Sequence, residues 1–385
     1  AHAQPPLTYK GFDLNTGSAN SRPDRFFSFN GKLYFAATTS TAGEELWISD
    51  GTTSGTRMLK DIDSGLNSSD PSRFAAVNNK VLFVADDHVI GDEIWVTDGT
   101  TNGTAPLKDI WPGVSGSNPV LGLVLNNKLL FTAFDIATGY ELWATDGTAS
   151  GTQLIKDIYP VVNNSSYPQS FTLYNGKIYF SAVDDNSNRE LWVTDGTATG
   201  TQLVKDINAC SPGSDPIGLI ISNGKLFFQA LTATDGTELW VSDGTQTGTQ
   251  MVKDISPGTG GSAPAGFYEY NGKVYFSADD GVNGIEVWVT DGTTTGTQML
   301  TDINPGSGNS FPGGFIVYNG KMYFRANDGV HGAELWVTDG TATGTKMVKD
   351  INAGPDNSGI FNLIVYKNKL YFTAEQATSD YRLYG

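Results

Sequence analysis

The segment ELWVTDGTATGT occurs twice without a difference, at 190–201 and 334–345. Five close variants keep the same beat: ELWISDGTTSGT from Glu45, EIWVTDGTTNGT from Glu93, ELWATDGTASGT from Glu141, ELWVSDGTQTGT from Glu238 and EVWVTDGTTTGT from Glu286. Self-similarity at a fixed period constrains a fold more than composition does, because a unit too small to bury its own apolar face must stack on its neighbours. Three landmarks set the register. Lys32, Lys80, Lys128, Lys177, Lys225, Lys273, Lys321 and Lys369 each lie 15 residues before Trp47, Trp95, Trp143, Trp192, Trp240, Trp288, Trp336 and, in the eighth place, Tyr384. An aspartate follows each tryptophan by 14 residues, from Asp61 to Asp350. The unit is 48 residues long, with one extra residue between Asp157 and Lys177.

Each unit reads as four short strands. An apolar stretch such as GFIVYNG ends in Asn-Gly or Asn-Asn, and KLYF, ELWVTD and TQLVKDI segments follow. Asn-Gly between two apolar runs is the two-residue hairpin signal, since both central positions take positive φ. No segment has helical periodicity. The expected fold is all-β, an eight-bladed β-propeller with four antiparallel strands per blade, forming a single domain over 1–385 with repeat units from 16 to 385. Asp13 lies 19 residues before Lys32, at the spacing the other units use. Residues 8–15 are therefore expected to supply the outer strand of the last blade and close the ring.

The chain resembles the bacterial ELWxxDGT repeat proteins over nearly all its length. The resemblance implies a secreted or cell-surface protein and brings no assigned activity. Ala1-His2-Ala3 reads as the A-x-A end of a cleaved signal peptide, which agrees with secretion. A net charge of -17 repels phosphate backbones, so no nucleic-acid partner is expected. The chain has no long apolar run, so no membrane insertion is expected either, and the expected state is a monomer. Cys210 is the only cysteine, which rules out an internal disulfide.

Most of the repeated chemistry reads as structural. DGTxxGT could be imagined as a phosphate cradle, but it lacks the lysine and following helix such a cradle needs. Its aspartate is expected to cap a tight turn. A flat ladder with Thr338 opposite Thr345 would pair Glu334 with Lys349, and the same register would pair Glu45 with Lys60, Glu93 with Lys108 and Glu141 with Lys156. The seven repeated tryptophans are expected between blades. The stretch AFDIATGYELW, 133–143, resembles the docking motif of eight-bladed quinoprotein dehydrogenases. It is read as blade docking without the cofactor, because one cysteine cannot supply the adjacent pair such enzymes often carry. His2, His88 and His331 are too few and scattered for a zinc site or a triad, and no G-x-S-x-G nucleophile motif occurs.

Function is expected on the face of the longer, more varied loops, those joining the second strand to the third and the fourth to the next blade. Asp87, Asp135, Asp184, Asp280 and Asp328 recur there and, with the KDI aspartates, offer oxygen ligands of the kind Ca²⁺ takes; the competing reading has them cap their own loops. Trp111, Tyr140, Tyr159 and Tyr167 depart from the repeat on blades two to four, with Asp135 and Asn163 in the same loops. Aromatics beside Asp and Asn describe a sugar- or peptide-binding surface. The expected function is an extracellular recognition or adhesion module for a glycan or a surface protein, not an enzyme. Two alternatives stay open: a polysaccharide-active hydrolase or lyase on the same face, and a scaffold domain of a larger surface protein.

Overall fold

The computed structural model describes residues 11–15, 19–161, 164–210, 212–376 and 380–385. Among them every regular element is a strand, and no helix is long and apolar enough to cross a membrane. The strands form eight antiparallel sheets in chain order, seven of four strands and one of three. These are the blades of a β-propeller, at 24–60, 72–106, 120–156, 169–205, 217–253, 265–301, 313–349 and 361–384. By contacts the chain divides into two compact units. Blades 1 to 3 lie in the first, blades 5 to 8 in the second, and blade 4 contributes segments to each.

Blade 3 serves as the example: Val120–Leu125, Lys128–Asp135, Gly139–Thr145 and Gln153–Lys156. Its first hairpin turns on Asn126 and Asn127, at φ of 50° and 59°, the mirror-image turn that matches strand twist. The second and third strands pair without a break, Phe131 opposite Trp143 and Phe134 opposite Tyr140. The third turn is the repeated DGT segment. Asp146 Oδ1 accepts from Thr148 N at 2.9 Å and Oγ1 at 2.6 Å, and Thr148 Oγ1 accepts from Gly151 N at 3.0 Å. A Cβ on Gly151 would run into the Asp146 carboxylate. That local closure accounts for the motif's recurrence.

The third and fourth strands depart from the flat ladder. Trp143 sits opposite Leu154, but Leu142, not Glu141, sits opposite Lys156, because a bulge falls between the two pairs. The same shift puts Leu46 opposite Lys60 and Leu335 opposite Lys349. The expected Glu–Lys cross-strand pairs do not form. The lysine reaches the next blade instead: Lys60 Nζ donates to Thr104 O at 2.7 Å and lies 5.7 Å from the Trp95 ring centre. Lys108, Lys156, Lys205 and Lys253 make the same strap to Thr152, Thr201, Thr249 and Thr297. The sixth place holds Thr301, which has no ammonium to donate.

The core lies in the seams between successive blades. Leu46, Ile48, Leu59 and Ile62 of blade 1 pack with Val81, Phe83, Ala85 and Trp95 of blade 2, and the pattern recurs along each unit. The six repeated tryptophans from Trp47 to Trp288 (Trp111 is not one of them) are buried, as expected, while Trp336 is half-buried. Of the expected closing strand, residues 8–10 lie outside the described residues and 11–15 form no strand. Leu14 packs against Phe35 and Trp47, the place that Ile62 takes beside Trp95, and Asn15 Oδ1 accepts from Ser40 N at 3.0 Å.

Candidate functional site

The loops after each fourth strand are positioned by the ELW glutamate. In blade 2, Glu93 is fully buried and accepts from Ile110 N, Trp111 N and Ser117 N at 3.2, 3.2 and 2.9 Å, and from Ser117 Oγ at 2.6 Å. Glu45, Glu141, Glu190, Glu238, Glu286 and Glu334 hold the corresponding loops through the same backbone position and a serine hydroxyl. Burial raises the carboxyls of Glu45, Glu93, Glu141 and Glu286 from 4.5 to about 7, against the pull of those donors.

With Ile110 turned into the seam, Trp111 projects from the loop and meets Phe134, ring centres 4.5 Å apart. Phe134, whose N donates to Ser117 O at 2.8 Å, is opposite Tyr140 and makes an edge contact with it at 5.1 Å. Tyr140 stacks on Tyr167 at 5.2 Å and 26°. Four rings thus run from the loop after blade 2, across the hairpin of blade 3, to the loop after it. Tyr167 is 50% exposed and the other three are half-buried. Burial, with the neighbouring Tyr167, raises the Tyr140 phenol, which therefore stays neutral.

The backbone at Tyr167 is in the left-handed region, φ 45°, just before Pro168. Asp70, Asn118 and Asp215 occupy that place in other blades, with φ between 43° and 48°. Asp and Asn tolerate this conformation; for an L-aromatic it costs roughly 1–2 kcal/mol. Ala263 and Phe311 share the conformation, at φ 46° and 45°, so the left-handed turn belongs to the repeat and what Tyr167 brings to it is an exposed ring.

Trp111, Tyr140 and Tyr167 are therefore brought together, as the sequence expectation had them, and Phe134 joins them. Phe134 was missed because it lies at a strand end, away from the loops. Its signal is visible by alignment, since Thr38, Asp86, Asp279, Asn327 and Glu375 occupy the matching place in five other blades. Tyr159 is half-buried in the same loop set, its carbonyl accepting from Val161 N at 2.7 Å. Asp135 adjoins Phe134 and its Oδ1 accepts from Ala137 N at 2.7 Å. Asn163 lies outside the described residues.

The five loop aspartates are not gathered for a metal. Asp87 caps Val89 N and Ile90 N, Asp184 caps Asn186 N and Asn188 N, and Asp280 caps Val282 N and Asn283 N. Asp328 caps Val330 N and His331 N, and its other oxygen meets His331 Nδ1 at 2.7 Å. Among the described residues no three His, Cys, Asp or Glu side chains form a group that could hold an ion. Each of these aspartates, Asp135 included, thus makes the loop-capping contacts of the competing reading.

A cavity of about 490 Å³ in the first unit also escaped the sequence reading. Its lining includes Arg25 and Arg73, each at φ 53° where Gly218, Gly266 and Gly314 stand in later blades. Arg25 Nη1 donates to Glu44 Oε1 at 2.7 Å, and Arg73 Nη1 to Pro119 O at 3.1 Å.

No family model and no curated protein matches this chain. Among solved structures, the computationally designed protein Ika8 is 16% identical, with a TM-score of 0.44 over 97% of this chain and 99% of its own. A puromycin hydrolase is 11% identical at a TM-score of 0.38, covering 94% of this chain and 60% of that one. A puromycin-hydrolyzing peptidase of Mycobacterium tuberculosis is 10% identical at 0.41, covering 92% and 57%. The chain thus spans about three fifths of the length of these hydrolases. At TM-scores below 0.5 these likenesses carry no argument about its site or activity.

Proposed function

We propose that the protein is a carbohydrate-recognition module that binds its ligand on the loops of blades 2 and 3. The observation that carries this reading is the ring run Trp111–Phe134–Tyr140–Tyr167, at positions where most other blades have polar or small residues. Flat rings offer apolar area to the axial C–H face of a sugar at little entropic cost. The exposed Tyr167 ring, held in a strained backbone, is the expected point of first contact.

A hydrolase or lyase on this face would need an acid of raised pKa open to substrate. The glutamates pushed up to about 7 are instead fully buried, each surrounded by donors of its own loop. Burial also raises the less enclosed Asp92, Asp109 and Asp157, so the preference for recognition rests on the ring run and not on a want of acids.

The test is a glycan array on the full chain, followed by titration of the best hit against Tyr167→Asn. Asparagine already occupies this backbone conformation at Asn118, so the variant is expected to keep or raise the melting temperature while affinity falls at least tenfold. Unchanged affinity in a folded variant would remove the ring run from the site. Trp111→Ala is the poorer probe, because Trp111 packs on Phe134 and its loss also weakens the loop.

A further inference from the structure

The second unit has two adjoining hollows, of about 410 and 250 Å³, that share Arg325 and Phe361 in their walls. Arg325 lies in the second strand of blade 7, Lys321–Asn327, opposite Gly313. At the same place the other blades have Ala36, Val84, Thr132, Ser181, Gln229, Ser277 and Thr373. Arginine here is singular, and the glycine across from it leaves the room it needs.

The guanidinium lies 6.0 Å from the Phe361 ring centre, and among the described residues it makes no ion pair. Among the described residues no acidic side chain lines either hollow. In a chain with 41 acids and 24 Lys and Arg, a cation in a cavity without one calls for an explanation. The amides of Asn327 and Asn357 add donors. Asn357 Oδ1 accepts from Ala333 N and Asn327 Oδ1 from Gly329 N, both at 2.7 Å, which leaves each amide its Nδ2. The apolar walls include Phe311 and Phe361, 57% and 48% exposed. Phe311 stands at φ 45°, the blade 6–7 counterpart of Tyr167.

A forked cation, two amide donors and two open rings, with no acid to compete, match one ligand chemistry: a planar anion attached to a flat apolar body. We propose that blade 7 holds a binding site for an aryl carboxylate, the acid on Arg325 and the ring between Phe311 and Phe361. The chemistry is that of a free aryl acid and of a peptide ending in an aromatic residue with its carboxylate free. This site lies in the other unit from the ring run and stands independently of the sugar reading.

The probe is 3-phenylpropionate, titrated into the full chain by NMR or calorimetry beside its neutral amide. The acid is expected to bind with Kd of about 1 mM or tighter and the amide at least tenfold more weakly. Arg325→Gln, the residue that blade 5 has at this place, is expected to remove binding with the melting temperature held. Phe361→Leu should weaken it several-fold. A short peptide ending in Phe separates the sources: tighter binding than 3-phenylpropionate assigns the site to a chain terminus, weaker binding to a free acid. Equal binding of acid and amide to the wild-type chain overturns the proposal without any variant, as does full affinity in Arg325→Gln or the absence of saturable binding.

Discussion

Glu93 illustrates how a repeated side chain can mislead at the level of the single residue. Opposite a lysine on a flat ladder it reads as half of a surface ion pair, worth little. Enclosed by Ile110 N, Trp111 N and the amide and hydroxyl of Ser117, it is the post around which a loop is tied. The clue was present in the sequence, since a serine follows each of these glutamates by 24 residues, or 25 after Glu141. Enclosure has a thermodynamic consequence. With folded values near 7 against an ordinary 4.5, these carboxyls hold protons more tightly in the folded chain than in the unfolded one. Their contribution to stability is complete below about 4.5 and is lost as pH climbs through about 7. The melting temperature is therefore expected to be several degrees higher at pH 5.5 than at pH 8, measured by calorimetry in matched ionic strength. A rise in melting temperature toward alkaline pH would mean that the donors, not burial, govern these groups.

At the scale of the element, hairpins and turns follow from short-range rules, and the sequence shows them plainly. Asn-Gly or Asn-Asn fixes the first turn of most blades and DGT the third, whatever surrounds them. The bulge between third and fourth strands was hidden, because no residue type announces it. It becomes visible only when Trp143 is found beside Leu154 with Leu142 beside Lys156. That one-residue shift frees the lysine to cross the seam and turns the glutamate toward the loop. The ring run was half legible for a related reason: its loop members stood out from the consensus, while Phe134 looked like ordinary strand filling. The packing of a blade on its neighbour gives a direct test. Trp143 is buried against Val77, Ile94 and Leu107 of blade 2, and Lys108 lies 5.6 Å from its ring centre. Trp143→Ala is expected to cost about 3–5 kcal/mol in chemical denaturation, the usual price of emptying a large aromatic site. A loss under about 1 kcal/mol would place the core elsewhere than in the seams.

At the scale of the whole molecule, each unit is a succession of seams, and its stability is approximately a sum of terms between neighbours. The terms are not equal. From Lys60 to Lys253 five seams are strapped by an ammonium on a threonine carbonyl of the next blade, but the seam between blades 6 and 7 has Thr301 instead. Ala342, like Ala149 and Ala198, stands where Thr101 and Thr294 reach back to Leu59 O and Val252 O, at 2.8 Å each. Trp336, at this seam, is the one repeated tryptophan that stays half-buried. Thr301→Lys should restore the missing contact to Thr345 O and stabilise the chain by about 1 kcal/mol. No change in the denaturation midpoint would show that the straps contribute little. In the natural chain the same feature fixes an order of failure. Of the seams between four-stranded blades, that between blades 6 and 7 should part first, so amide exchange at Trp336–Thr338 should outpace that at Trp240–Ser242, and proteolysis within these blades should begin near residue 305.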